Sequence, residues 1–306
     1  MLRLILRRLF TALPTLAAVI LLSFLLMRIA PGGPFDNERP LDPATKIALE
    51  KSYGLDKPLP EQAARYIGGL ARGDFGPSLV YRDFSVTDLV RQGLPISLTL
   101  GGLALVLALA LGLATGLAAA ARAGRWPDTV LMLASTLLTA LPSFVTGPLL
   151  VLVFGLALGW LPVSGWGDGD PPHLILPVIA LALPVAGAVA KLARAGLAGV
   201  LGQDHIRSAR ARGQSETHIL LRHALRPALL PVASYIGPAA AGLLTGAVVI
   251  ETVFALPGLG RYFVQGALNR DYPLVLGVVT LYAGLIILFN LFADLLYGWL
   301  DPRIRG

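Results

Sequence analysis

Composition, hydropathy pattern and the placement of basic residues together predict an all-α integral membrane protein, with six transmembrane helices and both termini in the cytoplasm. Of 306 residues, 55% are hydrophobic and only 14% charged, and the mean hydropathy is +0.71, whereas soluble domains run near one quarter charged. Long apolar runs recur six times along the chain. A helix needs about 20 apolar residues to cross a hydrocarbon layer of roughly 30 Å, because no water is there to satisfy its backbone. Lys and Arg gather in alternate connections, and that bias sets orientation.

The first span is expected over Leu9 to Met27, behind Arg3, Arg7 and Arg8. This run is long for a signal-peptide core and no small-residue cleavage pattern follows Met27, so it reads as a retained helix. The stretch from Pro31 to Pro95 carries eight basic and nine acidic residues. Long loops are translocated largely regardless of charge, which places it outside. Within it, Thr45 to Ser52 and Glu61 to Ala71 read as short helices, separated by a Gly- and Pro-punctuated turn from Tyr53 to Pro60.

The second span is the charge-free run Ile96 to Ala121, followed by Arg122 and Arg125 on the inner side. The third lies within Thr129 to Gly167, with kinks expected at Pro142 and Pro148. The fourth fills the uncharged interval between Asp170 and Lys191 and extends to about Ala198, with kinks expected at Pro177 and Pro184. The fifth lies within Pro227 to Val253 and the sixth runs from about Pro273 to Leu300, ahead of Arg303 and Arg305. The domain plan is therefore a tail and first span over 1–30, an external helical segment over 31–95, and a five-helix core over 96–306. That core contains a cytoplasmic loop at about 199–227.

This loop belongs to the densest basic segment, Lys191 to Arg226, with seven Lys/Arg against Asp204 and Glu216. The net charge of +7 follows from such topology-fixing residues and from contact with anionic lipid, and implies no nucleic-acid partner. The absence of cysteine excludes disulfides and thiolate metal sites. Gly112 to Gly116 and Gly242 to Gly246 are small-xxx-small patterns, which serve helix contacts within the chain or between subunits.

Catalytic motifs are missing. There is no Gly-x-x-x-x-Gly-Lys-Ser/Thr phosphate loop around Lys46, Lys51, Lys57 or Lys191, no His-Glu-x-x-His and no Gly-x-Ser-x-Gly. Asp168, Asp170 and His173 read as a polar external loop, and the spacing of His218 and His223 does not suit a metal site. Ionisable or amide groups at membrane depth are functional candidates, which singles out Glu251, Asn290 and Asp294 for a substrate pathway. Interhelical bonding is the alternative for Asn290.

The stretch Arg207-Ser-Ala-Arg-Ala-Arg-Gly213, with Leu220 to Pro227 after it, resembles the cytoplasmic coupling segment of ABC-importer permeases of the dipeptide, oligopeptide and nickel branch. Leu6 to Arg8 with Phe24 to Gly32, Gly73-Asp-Phe-Gly76 with Ser78, Glu251 to Gly260, Leu268 to Pro273, and Leu295 to Arg305 match the same family. The B-type permease is the nearest pattern. The broader superfamily has a Glu-Ala-Ala triplet six residues before its glycine; here those positions are Arg207, Ser208 and Ala209. His223 and Leu225-Arg226 also depart from the wider pattern, in the manner of the peptide branch.

The resemblance implies a type I ABC-importer permease fold in a bacterial or archaeal cytoplasmic membrane, moving di- or oligopeptides by alternating access. It implies partners: a second homologous permease, two ATP-binding-cassette ATPases and an external substrate-binding protein, with surrounding lipid. No cofactor is expected in this chain, since ATP and Mg would sit on the ATPases. The implied coupling residues are Arg207, Ser208, Ala209, Arg210, Ala211, Arg212 and Gly213, the last allowing a sharp exit, with Ser215 and Glu216 opening a following helix to about Arg226. An ion-coupled secondary transporter or channel is the alternative, and would place ionisable groups at mid-membrane.

Overall fold

A computed structural model describes residues 2–29, 42–81 and 83–300. The Ala30-Pro-Gly32 end of the first matched stretch and the terminal Asp301 to Arg305 lie outside the described residues, as do Arg303 and Arg305. Among the described residues the protein is helical, and the spans follow in the expected order: α1 (Leu2–Ile29), α4 (Val86–Ala120), a broken pair α5 (Trp126–Ala140) and α6 (Ser143–Leu150), α7 (Pro171–Leu201), α11 (Leu230–Val253) and α13 (Tyr272–Leu300). Five of these helices are each long and apolar enough to cross a membrane, and the bent pair makes a sixth.

Two spans differ from their expected form. The second helix begins ten residues earlier than its apolar run, at Val86, because Ser85 starts it: the Ser85 hydroxyl accepts the Asp88 N–H at 3.1 Å and the Asp88 carboxylate accepts the Ser85 N–H at 3.1 Å. This reciprocal cap satisfies two otherwise orphaned donors, so polar residues ahead of the membrane are wound into the helix. The third span is two helices meeting at 99°. Leu141 precedes a proline, whose ring disfavours helical geometry in the residue before it, and takes extended angles (φ −83°, ψ 115°). Beyond Pro148 the chain widens into a π-helical turn, Val151–Ala157. Pro177 and Pro184, by contrast, stay inside one continuous helix, α7; membrane helices tolerate such prolines where neighbouring helices hold them.

The core is built on α4 against α7. A Cβ placed on Gly112 would lie 2.6 Å from the Val189 Cβ, and one on Gly116 would collide with Ala190. The first small-xxx-small pattern is therefore an internal crossing that brings two backbones together. Around it lie Leu100, Ala104 and Ala108 of α4, Leu181 and Ala186 of α7, and Leu243, Ala247 and Ile250 of α11, all buried. The second pattern is not used this way: among the described residues nothing approaches within 4 Å of a Cβ on Gly242. Helix α1 lies at the edge, packed on α13, and Phe24 is its only buried residue among those described.

Between α1 and α4, α2 (Pro43–Ser52) and α3 (Leu59–Leu70) form the expected pair of short helices. A third, α12 (Leu259–Leu268), precedes the last span. Buried Asp271 fastens this outer layer: its Oδ2 accepts the Ser78 hydroxyl and the Leu79 and Val80 N–H groups, each amide at 3.1 Å, while Oδ1 accepts Leu274 N–H. Two sequence stretches almost two hundred residues apart, around Ser78 and Asp271, are thus one structural unit.

Candidate functional site

The basic loop folds into a compact element on the cytoplasmic end of the bundle. Helix α8 (Asp204–Ala211) places Asp204 in its first turn and Arg210 in its last, the charge order that suits a helix dipole. Its apolar side is narrow: Ile206 and Ala209 are buried against Leu197 and Val200 of α7, Ala120 of α4, and Ile219, Ala224 and Ala228. The other side carries Arg207, Ser208, Arg210, Ala211 and Arg212, all exposed. Ala209 is therefore an anchor within the protein, while its charged neighbours form the outward edge.

Gly213 ends α8 with φ +74°. The Gly213 N–H donates to Arg210 O at 2.9 Å and the Gln214 N–H to Ala209 O at 3.3 Å. That is a Schellman closure, which needs a left-handed residue where glycine is unstrained. Ser215 then caps the next segment, its hydroxyl accepting the His218 N–H at 3.3 Å.

The helix expected from Glu216 to about Arg226 is less regular. A short turn, α9 (Glu216–His218), widens into a π-helical stretch, Ile219–Ala224, and closes in α10 (Leu225–Ala228). The widening lets Ile219 and Ala224 both point into the apolar anchor while Leu221 stays 63% exposed on the cytoplasmic side.

Two side-chain clamps stiffen the turn. Arg210 donates from Nε to Glu216 Oε1 at 2.7 Å and from Nη2 to Oε2 at 3.1 Å. This two-point pairing holds Glu216 below the ordinary carboxylate range, chiefly through the hydrogen bond from the guanidinium. His223 and Gln214 approach at 3.0 Å across the same turn.

The element is also tied to the spans. Arg226 donates to Leu300 O at 3.0 Å and Trp299 O at 2.9 Å at the end of α13. Nearby, Arg194 of α7 makes two bonds to buried Asp128 of α5, at 3.0 and 2.6 Å, and Asp128 also accepts the Gly124 N–H at 2.9 Å. The inner ends of α5, α7 and α13 are thereby linked to one another or to the loop by directed bonds, and α4 by burial of Ala120.

The three membrane-depth candidates sit elsewhere. Glu251 is completely buried, accepting the Ser97 hydroxyl at 2.6 Å and the Gly260 N–H at 2.7 Å. It caps α12 and joins it to α4, since Ser97 in turn accepts the Leu259 N–H at 2.9 Å. Asp294 pairs with Arg8 of α1, at 2.8 Å. Asn290 donates to Ile286 O of its own helix at 2.9 Å, beside Gly237 of α11. Glu251 and Asp294 thus hold helices together. The sequence reading missed Ser97, Asp128 and Asp271; the only signal was a polar residue in or next to an apolar run, with its partner far away in sequence.

With this geometry in hand, comparison with known proteins is decisive. Residues 110–306 match the family described as binding-protein-dependent transport system inner membrane component. The chain belongs to this family. The oligopeptide transport system permease protein OppB of Haemophilus influenzae is 48% identical over 306 residues, covering all of both chains. The dipeptide transport system permease protein DppB of Bacillus subtilis is 39% identical over 305 residues, covering 100% of this chain and 98% of that one. A crystal structure of an amino acid ABC transporter with histidines superposes with a TM-score of 0.50 at 20% identity, over 71% of this chain and 94% of the other. That likeness speaks for the fold. Membership of this permease family sets aside the ion-coupled transporter as the parent class and agrees with a bacterial inner-membrane location.

Proposed function

We infer that this chain is a permease subunit of an ATP-driven peptide importer, and that α8 and the Gly213 turn are where a partner ATPase pushes on it. The observation that carries the reading is the build of the loop: a polar, cationic edge mounted on an anchor packed against α4 and α7 and bonded to α13. A force applied to α8 would be delivered to α4 and α7 through Ile206 and Ala209, and to α13 through Arg226. Because the anchor is close-packed and the turn is clamped by Arg210 and Glu216, the element would move as a body and rock the spans, the motion alternating access requires.

ATP and Mg would be handled by two partner ATPases, since this chain has no phosphate loop of its own. A second homologous permease and an external binding protein complete the proposed assembly. Among substrates, oligopeptides are favoured over dipeptides, as the relatives named for oligopeptide transport are the more similar of the two kinds, 48% against 39%.

The test is reconstitution of the chain with its partner permease, ATPases and binding protein in liposomes. Uptake of a labelled oligopeptide that requires ATP and the binding protein is expected. Uptake by this chain alone, driven by an ion gradient, would overturn the reading.

A further inference from the structure

Three of the outer stretches that carry the family resemblance meet around one cavity. Arg28 near the end of α1, Asp74 to Gly76, and Tyr272 with Pro273 line a space of about 250 Å³ beneath α3. Its apolar wall includes Phe24, Phe75 and Leu276, and its charged lining is Arg28, Arg65 and Arg72 against Asp74 alone.

Among the described residues these cations are poorly neutralised. The Arg28 guanidinium lies 5.4 Å from the Phe24 ring centre and 5.9 Å from that of Tyr272. Among the described residues neither Arg28 nor Arg72 forms an ion pair, and Arg65 reaches only exposed Glu61, at 3.5 Å. Asp74 is engaged by the Gly76 N–H at 2.9 Å. Also in the lining, the Gln62 amide is fixed by donating to Leu55 O at 3.1 Å and Lys57 O at 2.6 Å, which leaves its Oε1 buried with no donor among the described residues. A buried acceptor left unmet is costly. The cavity therefore presents guanidinium donors to an anion and one acceptor to an N–H or O–H.

Its surroundings narrow the ligand further. The cavity is lined by Arg28 near the end of α1 and by Tyr272 and Pro273 at the start of α13, ends that the topology assigns to the outer headgroup level. Leu21, Leu22, Leu25 and Leu26 of α1, just below, are all uncovered by protein. Guanidinium forks suit phosphate oxygens, and an uncovered leucine face suits acyl chains. We propose that this cavity holds the headgroup of an outer-leaflet phospholipid, its phosphate on the arginines and an amine or hydroxyl of the same headgroup on Gln62, with its acyl chains along α1. The proposal depends on the outward placement of these helix ends and is independent of the peptide reading.

Native mass spectrometry of the purified full-length chain tests it, using phosphatidylethanolamine, diacylglycerol of the same acyl chains, and inorganic phosphate as probes. Phosphatidylethanolamine is expected to be retained about tenfold better than diacylglycerol, an excess that the double variant Arg28→Gln, Arg72→Gln abolishes and Gln62→Leu reduces. Equal retention of diacylglycerol would overturn the proposal. So would inorganic phosphate binding as tightly as the lipid, which would assign the site to a soluble anion, or an unchanged excess in a double variant that melts like the parent. Should the double variant fail to fold, Gln62→Leu decides: an undiminished lipid excess in that single variant overturns the proposal.

Discussion

Arg210 and Glu216 hold each other by two hydrogen bonds, at 2.7 and 3.1 Å, across the turn that Gly213 makes at the cytoplasmic surface. Both side chains are largely solvent-exposed, so the pair's importance lies in stiffness more than in stability. It converts two short helical pieces into one body.

Opening that clamp should uncouple the transporter without unfolding it. Glu216→Gln is expected to leave membrane insertion and assembly intact while lowering ATP-driven uptake several-fold in proteoliposomes. A pH dependence follows from the lowered Glu216 value. A depressed folded-state pKa means the clamp's contribution is complete above the ordinary carboxylate range and is lost as pH falls through the depressed value. The parent should therefore lose coupling in acid, and Glu216→Gln should lack that acid limb.

Substitutions at Gly213 separate backbone strain from crowding. Among the described residues no atom lies within 4 Å of a Cβ there, yet φ is +74°. A β-branched residue should cost on the order of 1–2 kcal/mol locally and distort the turn, whereas Asn adopts left-handed angles readily. Uptake assays should show Gly213→Val impaired and Gly213→Asn close to the parent. Equal loss in both would mean the edge itself, not the turn, matters.

The two glycine pairs should respond in opposite ways. Gly116→Leu forces a side chain into the backbone of α7 and should cost about 1–3 kcal/mol or more, seen as a lowered melting temperature in detergent. Gly242→Leu sets its Cβ where no atom of the described residues comes within 4 Å, and should leave that temperature unchanged.

Glu251 should behave as a structural group. Glu251→Ala strands the Ser97 hydroxyl and the Gly260 amide in a buried site, and each buried donor left unmet costs about 1–3 kcal/mol. A low yield of folded protein is expected, with substrate preference unchanged in whatever folds. A folded variant with altered peptide selection would return Glu251 to the pathway.

The spans were legible because hydropathy over some 20 residues is a strong local signal. Boundaries failed where a local device intervened: the Ser85 cap lengthened α4 by residues too polar to count as membrane, and Leu141 before Pro142 broke the third span instead of bending it. At the site, Gly213 and the Ser215 cap were readable from residue type and spacing. The buried role of Ala209, the π-helical widening at Ile219–Ala224 and the Ser78 to Asp271 unit were not, since each depends on partners brought together only by the fold.

The central claim, that the exposed edge of α8 bears on an ATPase, is most directly tested by cysteine labelling, because this chain contains no cysteine of its own. In the assembled transporter, Ala211→Cys should be shielded from a water-soluble thiol reagent and crosslink to an ATPase subunit. In the chain purified alone it should label freely. Full labelling of Ala211→Cys in the assembled, ATP-hydrolysing complex, with no crosslink to either ATPase, would contradict the account.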